Sequence, residues 1–437
     1  MRTCRSARTG APGESPPVSL LTHSTRTPAL APFAVRSFRF QWPADLAVSW
    51  AFEMEALILA WYVLVATGSV GLLVVFGALQ WTGSLISPLF GVAGDRIGHR
   101  ALLCASRATY VLLAGTLMLL TTTGALQTWH VFVIASLTGL LRPSDMVMRN
   151  ALIGQTMPAA QLLGALAVSR TTADTAKIAG AIAGTTGVAV FGMGPAYVVV
   201  TVLYFASFLL SLGVAGAPVR SGAARHKPAT PLRDLRQGFT YTWETPAILG
   251  AMALAFLANL LAFPFVMGVL PYVAKEVYGA GQTGLGYLAA AFAVGGLVGS
   301  LALSANLVPL RPARTMLVAG AVWFLLLLAF AHTRSLVPGM VILALTGMVH
   351  NFCLMPLAAV MLRTSAANMR GRVMGMRMLA IWGLPAGLLL SGPLIAGTGF
   401  AAAASVYALL GLALTLAIAR RWRAALWHLE APANARV

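Results

Sequence analysis

A chain of 437 residues that is 59% hydrophobic and 9% charged departs far from the soluble average of about 25% charged residues, which excludes an ordinary soluble globule. The formal charge of +19 raises nucleic acid as a partner. Yet the Arg residues fall in the two tails and in alternate loops, with no aromatics interleaved for base stacking, so nucleic acid is excluded too.

Taken in chain order, residues 1–40 are rich in Arg, Ser, Thr and Pro, with Glu14 the only acid. A basic disordered tail over 1–43, or an over-extended start of translation, is expected there. A transit peptide is the other reading, and the apolar core of a secretory signal is missing. A spanning helix takes about 20 apolar residues. Apolar runs predict helices 1 to 6 over 44–67, 70–92, 101–122, 128–148, 163–190 and 195–217. Helices 7 to 12 follow over 247–273, 283–305, 314–331, 336–362, 373–396 and 400–420. The expectation is an all-α membrane protein of twelve transmembrane helices, in two halves over 44–217 and 247–420 around a central cavity. A polar central loop over 218–246 holds Arg220, Arg225, His226, Lys227, Pro228, Arg233, Asp234 and Arg236, and a short tail covers 421–437.

If both tails are cytoplasmic, the loops on that side carry Arg96, Arg100, Arg149, the central cluster, Arg311, Arg314, Arg363, Arg370 and Arg372. The opposite loops carry only Lys275 and Arg334. That asymmetry predicts a multi-pass protein of the cytoplasmic membrane with both termini inside. Cys4, Cys104 and Cys353 are odd in number and lack CxxC spacing, so neither a disulfide nor a metal site is expected, and no cofactor.

The loop between helices 2 and 3 reads GVAGDRIGHR, Gly91 to Arg100. It resembles the G-x-x-x-D-R-x-G-x-R signature of the major facilitator superfamily. Loop position, helix count and central loop agree with that resemblance, which covers residues 44 to about 420. The segments PLRDLRQGFTYTWETPAI (Pro231 to Ile248) and RGRVMGMRMLA (Arg370 to Ala380) resemble the drug, macrolide and siderophore exporter branch. The resemblance implies a conformational latch in which Asp95 faces the start of helix 11, where free backbone amides favour a carboxylate, with Arg370 and Arg372 adding to the field. Gly91 and Gly98 allow a tight approach, while Arg96 and Arg100 hold carbonyls or lipid phosphates. The matching stretch of the second half, ANLVPLRPAR, lacks the Asp, so the latch is expected on one side only.

Ionisable residues at mid-membrane cost about 2.5–3.5 kcal/mol each and mark function by default. Helix 1 holds Glu53 and Glu55; helix 5 holds Arg170, Asp174 and Lys177, spaced i, i+4, i+7 on one face that continues through Gly180 and Gly184. These glycines form a GxxxG step, and Gly295 and Gly299 offer a matching one in helix 8. The resemblance implies that helices 5 and 8 meet across the halves. Glu55, which precedes ALILAWYVL, is the expected inward-facing carboxylate, and a pair between Glu55 and Lys177 is expected to load and release a proton. A purely structural neutralisation between helices 1 and 5 is the other reading.

In the second half Asn259, His350, Asn351 and Trp382 are expected to line the cavity, with kinks at Pro264 and Pro356. Phe263, Phe265 and Met267 read first as packing. Arg142 and Asp145 are expected to pair locally with Arg149. Drug–proton antiporters of the superfamily carry G-P-x-x-G-G in helix 5, whereas Gly180 to Thr185 has no Pro, which removes one marker of antiport.

The functional expectation is a secondary active transporter that exports small amphipathic molecules by proton antiport and alternating access. An importer or a carrier of lipids or other solutes on the same fold is the alternative. The expected partners are a small-molecule substrate, protons and membrane lipids, and a monomer is expected. The chain has no GxxxxGK[ST], GxSxG or HExxH, so neither ATP use nor a membrane-embedded enzyme is expected.

Overall fold

The computed structural model describes residues 31–84, 94, 97–215, 231–305, 311–366 and 369–427. Every regular element among the described residues is helical, as it must be where backbone groups cross hydrocarbon. The first half comprises α1 (Arg36–Thr67), α2 (Val70–Leu79), α3 (His99–Thr122), α4 (Thr128–Thr156), α5 (Ala159–Phe191) and α6 (Met193–Leu212). A separate linker helix, Pro231–Glu244, leads into the second half. There follow α7 (Pro246–Val277), α8 (Gln282–Ser304), α9 (Pro312–Ala331), α10 (Leu336–Thr364), α11 (Arg370–Thr398) and α12 (Phe400–Arg421).

Ten of these are long and apolar enough to cross a membrane. The remaining two are α2, of which ten residues are described as α-helix, and α5, whose 33 residues are ample but include three charges. The twelve spans therefore fall where apolar runs place them. Their ends differ. Helix α1 begins at Arg36, with Pro43 inside it, so part of the expected tail is helical. Likewise α4 runs on to Thr156, and the central loop contains the linker helix. Polar residues extend these helices because they find partners there: the buried Gln41 donates to the Arg149 carbonyl at 3.0 Å. Hydropathy does not register such contacts.

Two apolar cores form, one in the first half around Val48, Phe76, Tyr110 and Tyr197, the other in the second half around Leu254, Phe265, Trp323 and Leu388 and reaching Val70, Val74 and Ala78 of α2. Large apolar side chains remain on the outside, among them Leu112, Phe191, Val202 and Leu390, which suits contact with lipid rather than water. The turn between α1 and α2 is closed by Gly68 at φ 62°, the left-handed conformation that glycine adopts without strain. Ser69 then caps α2 by accepting from the Leu72 N–H at 3.3 Å.

Contact between the halves is concentrated at the end where α1 passes into α2. There Gly392 of α11 lies against Gly71 and Val74 of α2, and Gly286 of α8 against Ala181 and Thr185 of α5. Tyr272 of α7 packs on the first-half core. Helices α5 and α8 thus do meet, but not through the glycine steps expected to join them. Gly180 and Gly184 receive Trp50, Glu53 and Met54 of α1, while Gly295 and Gly299 receive Ala344 and Met348 of α10. A GxxxG step permits close approach by any helix, and each step here serves its own half. As for the prolines, Pro356 lies inside α10 and Pro264 follows a π-helical stretch, Ala258–Ala262. Such a stretch leaves backbone carbonyls free of the regular ladder and eases the bend that a proline imposes.

Candidate functional site: a charged cavity between the halves

Helix α1 places two carboxylates two residues apart, which turns them about 200° from each other. Glu53 faces α4 and the space between the halves. Its Oε1 lies 3.3 Å from Arg142 Nη2, and the Arg142 guanidinium rests 5.0 Å from the Phe52 ring centroid and 3.5 Å from Gln80 Oε1. Glu55 turns the other way, into the first half, where its Oε2 accepts a hydrogen bond from the Tyr204 hydroxyl at 2.6 Å. The expectation that Glu55 is the inward-facing carboxylate and pairs with Lys177 is therefore corrected: Glu53 has that place, and the partner of Glu55 is Tyr204. Arg142 is corrected too, since it leaves its own helix for Glu53. Asp145 does pair with Arg149, at 2.8 Å.

On α5 the three charges make a self-contained group. Asp174 lies 3.3 Å from Arg170 and 3.4 Å from Lys177. Together with Glu53 and Arg142 they line a cavity enclosing about 1300 Å³ of empty space, counting the part open to solvent. The second half supplies the facing wall, including Met267, Phe292, His350 and Asn351. Asn351 donates to the Gly296 carbonyl at 2.5 Å, tying α10 to α8. The His350 ring sits edge-on to Phe263 and Trp323 at 5.3 and 5.2 Å. Asn259 and Trp382 do not reach this wall. Asn259 is buried against α11 and donates to Ala255 at 2.9 Å, and Trp382 sits at the break within α11. Both were expected to line the cavity because they are polar within apolar runs; Asn259 instead bonds within its own helix beside Gly383, and Trp382 is not among the residues that line it. Met267 lines the cavity, whereas Phe265 packs on Tyr407.

Of the latch, Gly91, Asp95 and Arg96 lie outside the described residues. Gly98 has φ 100°, Arg100 donates to the Leu212 carbonyl at 2.6 Å, and Arg370 donates to the Leu362 carbonyl at 3.2 Å. Arg372 reaches the Met369 sulfur at 3.3 Å. Cys104 and Cys353 are free thiols, and Cys4 lies outside the described residues. Among the described residues no group of His, Cys, Asp or Glu is placed to hold a metal.

A second set of buried charges escaped the sequence reading. Arg107 of α3 pairs with Asp45 of α1, lies 3.4 Å from Asp145 of α4, and donates to Ser211 of α6 at 2.5 Å. Arg149 completes it, reaching Ser49 at 3.2 Å. The available signal was Arg107 itself, a lone cation in the apolar run of helix 3, and Asp45, which the later start assigned to helix 1 placed at its very end.

Two helical halves around a charged cavity are the arrangement of repeat-built membrane transporters, which hold their cargo between the halves. The family profile described as "Major Facilitator Superfamily" matches residues 42–390, and the chain belongs to that superfamily. Among solved structures it is similar to the nucleoside transporter NupG, with 13% identity over 89% of this chain and 98% of that one and a TM-score of 0.66. It is also similar to the POT family transporter PepTSo, with 11% identity over 90% and 99% and a TM-score of 0.69. A third is a bacterial homolog of the human lysosomal transporter Spinster, with 13% identity over 90% and 99% and a TM-score of 0.61. At such identities these likenesses show the fold alone. No curated protein matches the sequence.

Proposed function

We propose that this protein exports small amphipathic molecules across the cytoplasmic membrane by alternating access, driven by proton antiport. The observation that carries the proposal is the placement of two carboxylates, Glu53 and Asp174, on one wall of the cavity, each held by cations. An ion pair at such a site exists in two states. Protonating Glu53 releases Arg142, and releasing the proton restores the pair, so proton occupancy and the cation's availability are linked. Glu55 shares a small cavity with Arg142 inside the first half and stands behind this exchange.

Contact between the halves at the α1–α2 turn end leaves the cavity to open toward the linker and termini. The arginine asymmetry of the loops makes that side the cytoplasm. The latch that the resemblance implies, Asp95 with the start of α11, belongs in this reading to the opposite state. The exporter direction follows the resemblance of Pro231–Ile248 and Arg370–Ala380 to the exporter branch. The test is accumulation of amphipathic fluorescent dyes in everted membrane vesicles energised by respiration. Accumulation abolished by a protonophore, and reduced about tenfold or more in Glu53→Gln, is the expected result. Uptake that ignores the protonophore, or that runs only in right-side-out vesicles, overturns antiport or export respectively.

A further inference from the structure

The charges of the cavity are not evenly shared between its walls. Its acids are Glu53 and Asp174, and its basic side chains are Arg142, Arg170 and Lys177, a formal surplus of one positive charge. Glu53 and Arg142 balance as a pair. On α5, by contrast, one carboxylate is divided between two cations, and it lies behind them. The side chain of Asp174 is 10% exposed, whereas Arg170 is 51% and Lys177 43% exposed. Arg offers five N–H donors and Lys three; Asp174 engages one head on each of its oxygens and leaves most of those donors to the cavity.

The facing wall carries no Asp, Glu, Lys or Arg, and its one imidazole, His350, has its ring packed edge-on against Phe263 and Trp323. Met267, Leu270, Ala289, Phe292 and Leu388 are apolar, and the Asn351 amide is engaged by Gly296. A positive charge without its counter-charge is costly in a space of low dielectric, and the same low dielectric strengthens its attraction for an anion. A cationic cargo meets the surplus as repulsion, and a neutral one leaves it uncompensated.

We infer that the cargo is an amphipathic organic monoanion, its carboxylate or sulfonate held by Arg170 and Lys177 and its apolar body laid on the second-half wall. This rests on the carrier reading above and names the substrate class of the same site.

Three probes share one apolar body and differ in charge: 1-naphthaleneacetate, its neutral amide, and 1-naphthylmethylammonium. Their Kd values for the purified full-length protein in detergent, measured calorimetrically without any gradient, decide the matter. The acetate is expected to bind about tenfold or more tightly than either of the others. Arg170→Gln and Lys177→Gln are each expected to erase that preference, and Lys177→Arg, which keeps the charge, to retain it. Equal or tighter binding of the ammonium, binding of none of the three, or an anion preference that survives the double variant R170Q/K177Q overturns the inference. The two readings fail separately. Proton-driven transport with a preference for cations removes the substrate class and leaves the carrier. Anion binding without gradient-driven transport does the reverse.

Discussion

Arg107 is 1% exposed, deep in the first half, with Asp45 on one side and Asp145 on the other, and Arg149 lies on the second oxygen of Asp145. Two cations and two carboxylates cancel, so the group is buried without net charge, and it joins α1, α3, α4 and α6 by bonds rather than by apolar packing alone. Removing one partner leaves a buried charge uncompensated, at a cost of about 3–5 kcal/mol. Asp145→Ala is therefore expected to lower the thermal unfolding midpoint in detergent well below that of the wild type, and an unchanged midpoint contradicts the account. At this scale the sequence showed which residues matter better than whom they meet. Glu53, Glu55, Asp174 and Lys177 stand out as charges in apolar runs, yet Tyr204 lies 149 residues beyond Glu55 and nothing local joins them. The 200° between the two glutamates ruled out a shared face without saying which one faced the cavity.

Helices were the most legible level, because about 20 apolar residues between turn signals have one stable form in hydrocarbon. Their ends were less so. The first turns of α1 and the linker helix are polar, and their helicity depends on contacts made elsewhere. Glycine steps announced close approach but not the partner, which is why Gly180 and Gly184 proved to belong to α1. Met54 lies against the face of Gly184 with no room for a larger side chain, whereas a Cβ on Gly187 meets nothing nearby. Gly184→Val is expected to destabilise by about 1–3 kcal/mol through overpacking, and Gly187→Val to leave the unfolding midpoint where it was. Equal effects in thermal melts of the two variants would show that α1 and α5 do not approach as described.

The pairing of six helices with six was legible from the basic central loop and the matched runs on either side of it. Which end of the molecule is closed was not, since that is a property of a state and both states share one sequence. Here the halves meet through Gly71, Gly392, Gly286 and Thr185, small residues that allow contact without interlocking side chains. The seam also holds Val70, Val74 and Ala78 of α2 against the second-half core and Tyr272 of α7 against the first, contacts that break when it parts. Alternating access requires that it does.

The most direct test is the distance between spin labels at Ala66, the exposed end of α1, and Thr398, the exposed end of α11. It is measured by pulsed paramagnetic resonance in lipid nanodiscs, with the native cysteines replaced by serine. Alternating access predicts two distance populations, the shorter one matching the closed seam, whose proportions change between mildly alkaline and mildly acidic conditions. A single distance that responds neither to pH nor to 1-naphthaleneacetate would contradict the account.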